Sequence, residues 1–210
     1  MVVAIDGPAG AGKSTIAKEI ARRLEITFLN SGNFYRAITL SLLRSKIDLS
    51  CEKEVIAHAE SLNLDYSNGR LILNGEDVED ILHTDEIDAN ASKVSSIVKI
   101  RHIVNDKIRI ITKKNSIVCE GRDMTTVVFP DADYKFYLDA SLDVQAMRRY
   151  KQNVSNLSLE EIKAAIKKRD ELDKNKAEGS LKIAPDAIYI DTSDLTIAQV
   201  CEIILSKIHI

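Results

Sequence analysis

Eight consecutive residues near the start of the chain, Gly7-Pro8-Ala9-Gly10-Ala11-Gly12-Lys13-Ser14, match the pattern G-x-x-x-x-G-K-[ST] and run on into Thr15. The residue types answer a specific chemical need. Glycines let the backbone curl so that successive amide N–H groups converge on an anion, and the dipole of a following helix adds to the attraction. The lysine ammonium reaches the outer phosphates of a nucleoside triphosphate, and the serine hydroxyl is a hard ligand for Mg²⁺. An apolar run, Val2–Asp6, precedes the loop and a helical pattern over Ile16–Leu24 follows it. That strand–loop–helix context is what the motif requires. The segments D-x-x-G and N-K-x-D, by which GTPases sense the γ-phosphate and read guanine, do not occur. The nearest string, Asp173-Lys174-Asn175-Lys176, lacks the guanine-reading aspartate.

Phosphoryl transfer to an anionic acceptor needs a second cationic cradle. Asn30-Ser31-Gly32-Asn33-Phe34-Tyr35-Arg36 follows one predicted strand, and Glu120-Gly121-Arg122-Asp123 follows another. In an open α/β sheet, ligands bind outside the carboxyl ends of the strands. Arg36 and Arg122 therefore fall where a phosphate would, and each guanidinium can make the two-pronged contact that lysine cannot. A third cluster contains Arg148-Arg149 and Lys167-Lys168-Arg169-Asp170, then Asp173 and Lys176. On one helix Arg169, Asp173 and Lys176 share a face. Spacing alone leaves two readings open, an exposed ion pair or a mobile flap that brings cations to the moving phosphoryl group.

The elements that must position these residues alternate. Strand candidates are Val2–Asp6, Thr27–Asn30, Ile117–Glu120, Tyr134–Asp139 and Ile188–Asp191, separated by helical patterns, which predicts parallel α/β layering. The clearest helix is Ile197–Ile208, opened by a Thr196/Gln199 capping box. Another begins near Ser158, with Glu161 three residues on, and runs through Lys163–Asp173. One stretch breaks the alternation. Between Leu64 and Val78 two Asn-Gly dipeptides, Asn68-Gly69 and Asn74-Gly75, punctuate short apolar runs, which predicts a small antiparallel insert. With 210 residues, 45% hydrophobic and 29% charged, the chain is one globular domain. Twenty-nine basic residues against 32 acidic ones, net −3, exclude a nucleic-acid binder held by bulk charge. No apolar run is long enough for a membrane helix, no signal peptide is expected, and Cys51, Cys119 and Cys201 read as reduced thiols. The expected location is the cytoplasm and the expected state a monomer.

Four segments together resemble bacterial cytidylate kinases. They are Ile5–Thr15, then Ser31-Gly32 with Tyr35-Arg36, then Gly121-Arg122-Asp123-Met124 with Thr126-Val127-Val128-Phe129-Pro130-Asp131-Ala132, and Arg169-Asp170 with Asp173 and Asn175. The resemblance implies an α/β P-loop kinase with a central five-stranded parallel sheet covered by helices, a small antiparallel β insert in the acceptor-binding region, and a helical lid. The core would be 1–30, 112–145 and 184–210, the acceptor region 31–111 and the lid 146–183. It implies Mg²⁺-dependent transfer of the ATP γ-phosphoryl group to CMP and dCMP. Lys13, Arg122, Arg149 and Arg169 would neutralise the moving charge, with Mg²⁺ held partly by Ser14. Arg36 and Arg122 would hold the acceptor phosphate, with Tyr35 and Lys176 also in the acceptor site. Ser92, Arg101 and Asp123 would read cytosine, and Ser31, Arg169 and Asp173 would lie near the sugar. The resemblance alone carries Ser92 and Arg101.

This sequence departs from the family pattern at several places. Asn30 and Glu120 stand where aspartates are usual, Thr125 where glycine is usual, and Leu172, Lys174 and Lys176 where arginines are usual. Two other functions are compatible with the phosphate loop: a small kinase for UMP, AMP or a non-nucleotide acceptor such as shikimate, and a nucleotide-sensing module without turnover.

Overall fold

The computed structural model describes residues 1–67, 69–113, 115–152 and 157–209. Along the chain the elements are β1 (Val2–Asp6), α1 (Lys13–Arg23), β2 (Thr27–Asn30), α2 (Ser31–Arg44), α3 (Glu52–Ser61), β3 (Leu64–Ser67), β4 (Arg70–Leu73), β5 (Glu76–Asp77), α4 (Asp85–Val94) and α5 (Val98–Thr112). They continue with β6 (Ile117–Gly121), β7 (Tyr134–Asp139), α6 (Leu142–Lys151), α7 (Leu159–Lys174), β8 (Ile188–Asp191) and α8 (Ile197–Leu205). A single-turn π-helix, Met124–Val128, follows β6. The chain divides into two compact units, Met1–Leu29 with Asn115–Ile210, and Asn30–Lys114.

The first unit is built on a five-stranded sheet of order β2-β6-β1-β7-β8. β1 lies between β6 and β7, parallel to both, and β8 is parallel to β7. All five predicted strands are present, and β6 is one residue longer than expected. The register sets Asp6 level with Gly121 and with Tyr137, so Gly7 and Arg122 leave the sheet at one rim. The connections from β1 to β2 and from β7 to β8 run to opposite sides, which opens a crevice beyond the carboxyl ends of these strands. Val3, Ile5, Val118, Phe136 and Leu138 are fully buried, as strands covered on both faces must be. Ile16, Ala17 and Ile20 of α1 and Val200, Cys201 and Ile204 of α8 complete this core from their apolar stripes.

The second unit holds α2 to α5 and the antiparallel sheet β3-β4-β5, the predicted insert. Asn74 and Gly75 both have positive φ, 49° and 87°, as the tight hairpin between β4 and β5 demands. Asn68, of the other predicted turn, lies outside the described residues. Phe34, Ile38 and Leu42 of α2, and Ile100, Val104 and Ile108 of α5, recur every fourth residue and are fully buried.

Two expectations need correction. α8 ends at Leu205 rather than at residue 208, with Ser206 as its C-cap, although Ile208 still joins the core. α7 ends at Lys174, because Asn175 leaves helical geometry and returns its side-chain amide to the Glu171 carbonyl. Lys176 is therefore beyond the helix and does not share its face. The predicted Thr196/Gln199 capping box is formed, and Ser158 and Glu161, the expected start of the other helix, form a second one. Among the described residues no helix is long and apolar enough to cross a membrane.

Candidate active site

The phosphate loop owes its path to close approaches that only glycine permits. A Cβ on Gly7 would sit 1.9 Å from the Leu138 carbonyl oxygen of β7, and one on Gly10 would sit 2.8 Å from Gln145 of α6. Gly10 also has φ +76°, in the left-handed region. Lys13 is buried and its ammonium donates to the Pro8 carbonyl at 2.6 Å, so the loop bends around its own lysine. Burial, then the positive charges of Arg122 and Arg169, lower the Lys13 pKa to about 7 against the opposing pull of Glu120 and Asp170. Ser14 and Thr15 are exposed at the start of α1. The Ser14 hydroxyl donates to the carboxylate of Glu120, at the end of β6. A hydroxyl beside a carboxylate is an all-oxygen donor set, which suits Mg²⁺ and its retained waters.

The next rim position is held by a buried carboxylate. Asp6, the last residue of β1, accepts from the Met124 and Thr125 amides at 2.9 and 2.7 Å and from the Thr125 hydroxyl at 2.6 Å. Burial raises its pKa to about 6 despite those bonds. Asp6 thereby anchors the π-helical turn and the segment Gly121-Arg122-Asp123 that precedes it. Thr125, one of the departures, contributes the third of these bonds. Asp123 is buried and its carbonyl takes the Val127 and Val128 amides.

The third predicted cluster is a buried ion network. Arg122 Nε donates to Asp173 Oδ2 at 2.8 Å, and Lys176 Nζ pairs with Asp173 Oδ1 at 2.8 Å. The Asp173 and Lys176 side chains are only 4% and 6% exposed, which excludes the solvated surface pair. Burial alone would push Asp173 up, yet Arg122 and then Lys176 hold its pKa at about 2. Lys176 thus serves as a point charge where the family pattern has a fork. Leu172 and Lys174, the other departures in this segment, face solvent. Arg169 is half-buried within the same field, and Arg149 donates to Gln152. Its neighbour Arg148, which the sequence placed only within the cationic cluster, makes two bonds to Thr192, whose hydroxyl reaches the Ala11 carbonyl of the phosphate loop.

In the second unit, Arg36 donates through Nε to Asp88 of α4 at 2.8 Å. A Cβ on residue 32 would sit 2.7 Å from Arg36 Nη1, so Gly32 makes room for the guanidinium. Asn30, another departure, still caps α2, its side-chain oxygen accepting the Gly32 amide at 2.9 Å. Ser31 and Tyr35 are buried in the first turns of α2. Arg101 of α5 is buried, donates to the Ser95 carbonyl at 3.0 Å and lies 5.6 Å over the Tyr35 ring. Ser92 is half-buried on α4, one turn beyond Asp88. Asn33 donates to Glu79 at 2.7 Å, which ties α2 to the turn after β5.

Sequence reasoning quoted Asp6, Arg148 and Asp170 within its segments without giving any of them a role of its own, and it did not reach Asp88, Gln145 or Thr192. Asp6 ends the strand that feeds the phosphate loop, a signal that was available. The others become visible only through their partners.

Comparison with known proteins bears on the family and on the fold. The family model described as cytidylate kinase matches residues 3–210. A relative named cytidylate kinase from Borreliella burgdorferi strain ZS7 is 44% identical over 218 residues, covering all of this chain and 97% of that protein. Another of the same name, from Clostridioides difficile strain 630, is 43% identical over 213 residues, covering 100% and 99%. Among solved structures, shikimate kinase from Bacteroides thetaiotaomicron superposes with a TM-score of 0.51 at 11% identity, over 99% of this chain and 97% of that one, a likeness of fold.

Proposed function

The chain belongs to the cytidylate kinase family, and from that premise we propose that it transfers the γ-phosphoryl group of ATP to CMP and dCMP, giving ADP and CDP or dCDP with Mg²⁺. The observation that carries the reading is the concentration of Lys13, Arg122, Arg169 and Lys176 around one phosphate loop, interleaved with the carboxylates of Asp170 and Asp173. A sensor of ATP needs the loop alone, not this second set of cations.

Phosphoryl transfer is mostly positioning and charge neutralisation. In the proposal Gly7–Thr15 cradle the donor phosphates, and Lys13 neutralises charge as it spreads over the moving group. Its lowered pKa fits a site awaiting a polyanion, whose arrival restores the protonated form. Ser14 and Glu120 would hold Mg²⁺, which supplies further neutralisation when bound. Arg36, whose Nε is held by Asp88, would bind the acceptor phosphate, a role the family pattern also gives to Arg122, with Tyr35 in the acceptor site. Ser31, Arg169 and Asp173 would lie near the sugar, and Lys176 would belong to the acceptor site. Asp123 would accept the cytosine amine, while Arg101 and Ser92 would satisfy ring N3 and O2. Uracil presents a carbonyl where cytosine has the amine, and so would leave Asp123 facing another acceptor. The acceptor's own phosphate oxygen is the nucleophile and is already largely ionised at neutral pH, so no general base is assigned. Arg149, whose bond to Gln152 points it along its own helix, would join the lid cations of 146–183.

The test is ADP release with Mg²⁺ and ATP against CMP, dCMP, UMP, AMP and GMP separately. Fast turnover confined to CMP and dCMP supports the proposal. ATP binding without stimulation by any of them refutes it in favour of a sensor or a kinase of non-nucleotide acceptors.

A further inference from the structure

A carboxylate inside an anion cradle calls for a reason. The amide of Ala9, the third residue of the loop, does not point into open space: it donates to Asp170 Oδ1 of α7 at 3.0 Å, across 161 residues of sequence. Asp170 is buried although it carries a negative charge in a site shaped for phosphate. Its position on the helix shows how it arrives there. The buried stripe of α7 runs Ile162, Ile166, Asp170, Asp173, so one face changes from apolar to acidic where it meets the loop. The apolar half packs on Ala146 of α6 and on Ala9 itself. That contact is non-directional and leaves α7 free to rotate or slide. The Asp170–Ala9 bond is directional and fixes both movements. The next residue of the stripe, Asp173, is gripped by Arg122 and Lys176, and the residue preceding Asp170 is Arg169, whose charge is felt at Lys13.

We propose that Asp170 is a positioning residue, which docks α7 on the phosphate loop through the Ala9 amide and thereby fixes Arg169 and Asp173 for phosphoryl transfer. The role is that of a hydrogen-bond acceptor rather than of a charge. The proposal rests on the kinase reading above, which the unaltered protein tests separately: without CMP-stimulated ADP release, that reading fails first.

Three forms of the full-length protein decide it: unaltered, Asp170→Asn and Asp170→Ala. Asparagine keeps an oxygen for the Ala9 amide, and alanine removes it. Misplacing groups by about an ångström lowers rates roughly 10- to 100-fold. The expected result is such a loss of kcat with CMP in Asp170→Ala, with KM for ATP within about threefold, and recovery of kcat in Asp170→Asn to within about threefold of the unaltered protein. The alanine variant should also release more ADP without acceptor relative to its rate with CMP, because an undocked helix excludes water less well. Equal impairment of the two variants overturns the proposal, as does an unimpaired Asp170→Ala. Should Asp170→Ala fail to fold, amide exchange at Ala9 decides in the unaltered and asparagine forms. Slow exchange in both supports the bond, and fast exchange in either overturns it.

Discussion

At the level of single residues the same side-chain type does different work according to what surrounds it. Five carboxylates near the carboxyl rim of the first sheet illustrate this. Asp6 organises backbone amides, Glu120 faces a hydroxyl, Asp170 takes a loop amide, Asp173 balances two cations, and the buried Asp123 adds its charge to the burial that raises the Asp6 pKa. Two substitutions separate chemistry from recognition. Lys13→Ala removes the cation nearest the moving charge and should lower kcat with CMP by at least about 10³-fold, measured by coupled ADP release. Asp123→Ala should lower kcat/KM for CMP while leaving that for UMP within about threefold, shrinking the ratio between them by about 10²-fold or more. An equal loss on both acceptors would remove Asp123 from the recognition set.

Whole elements are held in place by contacts between residues far apart in the chain. The loop after β1 is buttressed by Gln145 and Arg148 of α6, Thr192 after β8, and Asp170 of α7. α7 is further tied to the segment after β6 through Asp173 and Arg122. This tie predicts a pH dependence. With its pKa held at about 2 rather than the ordinary 3.8, Asp173 binds fewer protons in the folded than in the unfolded chain. Its contribution is complete above pH 3.8 and is lost as pH falls through about 2. That contribution is on the order of 2 kcal/mol. Asp173→Asn should therefore unfold more readily in urea at pH 7, and its stability should decline less steeply than that of the unaltered chain between pH 4 and 2. Parallel declines in the two proteins would show that Asp173 is not the titrating group.

For the molecule as a whole, binding and stability are linked, since any ligand that prefers the folded chain raises its unfolding free energy. CMP at 100 times its dissociation constant should contribute about 2.7 kcal/mol, with UMP at the same concentration contributing measurably less in a thermal melt. Equal shifts would contradict cytosine selection. Gly7–Ser14 declared a phosphate site unaided, because backbone curvature and a lysine at fixed spacing are local properties. The five strands, the Thr196/Gln199 capping box and the Asn74-Gly75 hairpin were legible for the same reason: period and turn chemistry act over a few residues. Family resemblance reached Ser92 and Arg101, which no local pattern marks. Only the tertiary structure could decide that Asp173 and Lys176 form a buried pair, that Asp88 holds Arg36, and that Asp170 meets the Ala9 amide. Each of these depends on packing that brings a side chain out of water against a partner, in most cases a distant one. Burial is what turns an ordinary charge into a fixed one, and burial is a property of the assembled chain.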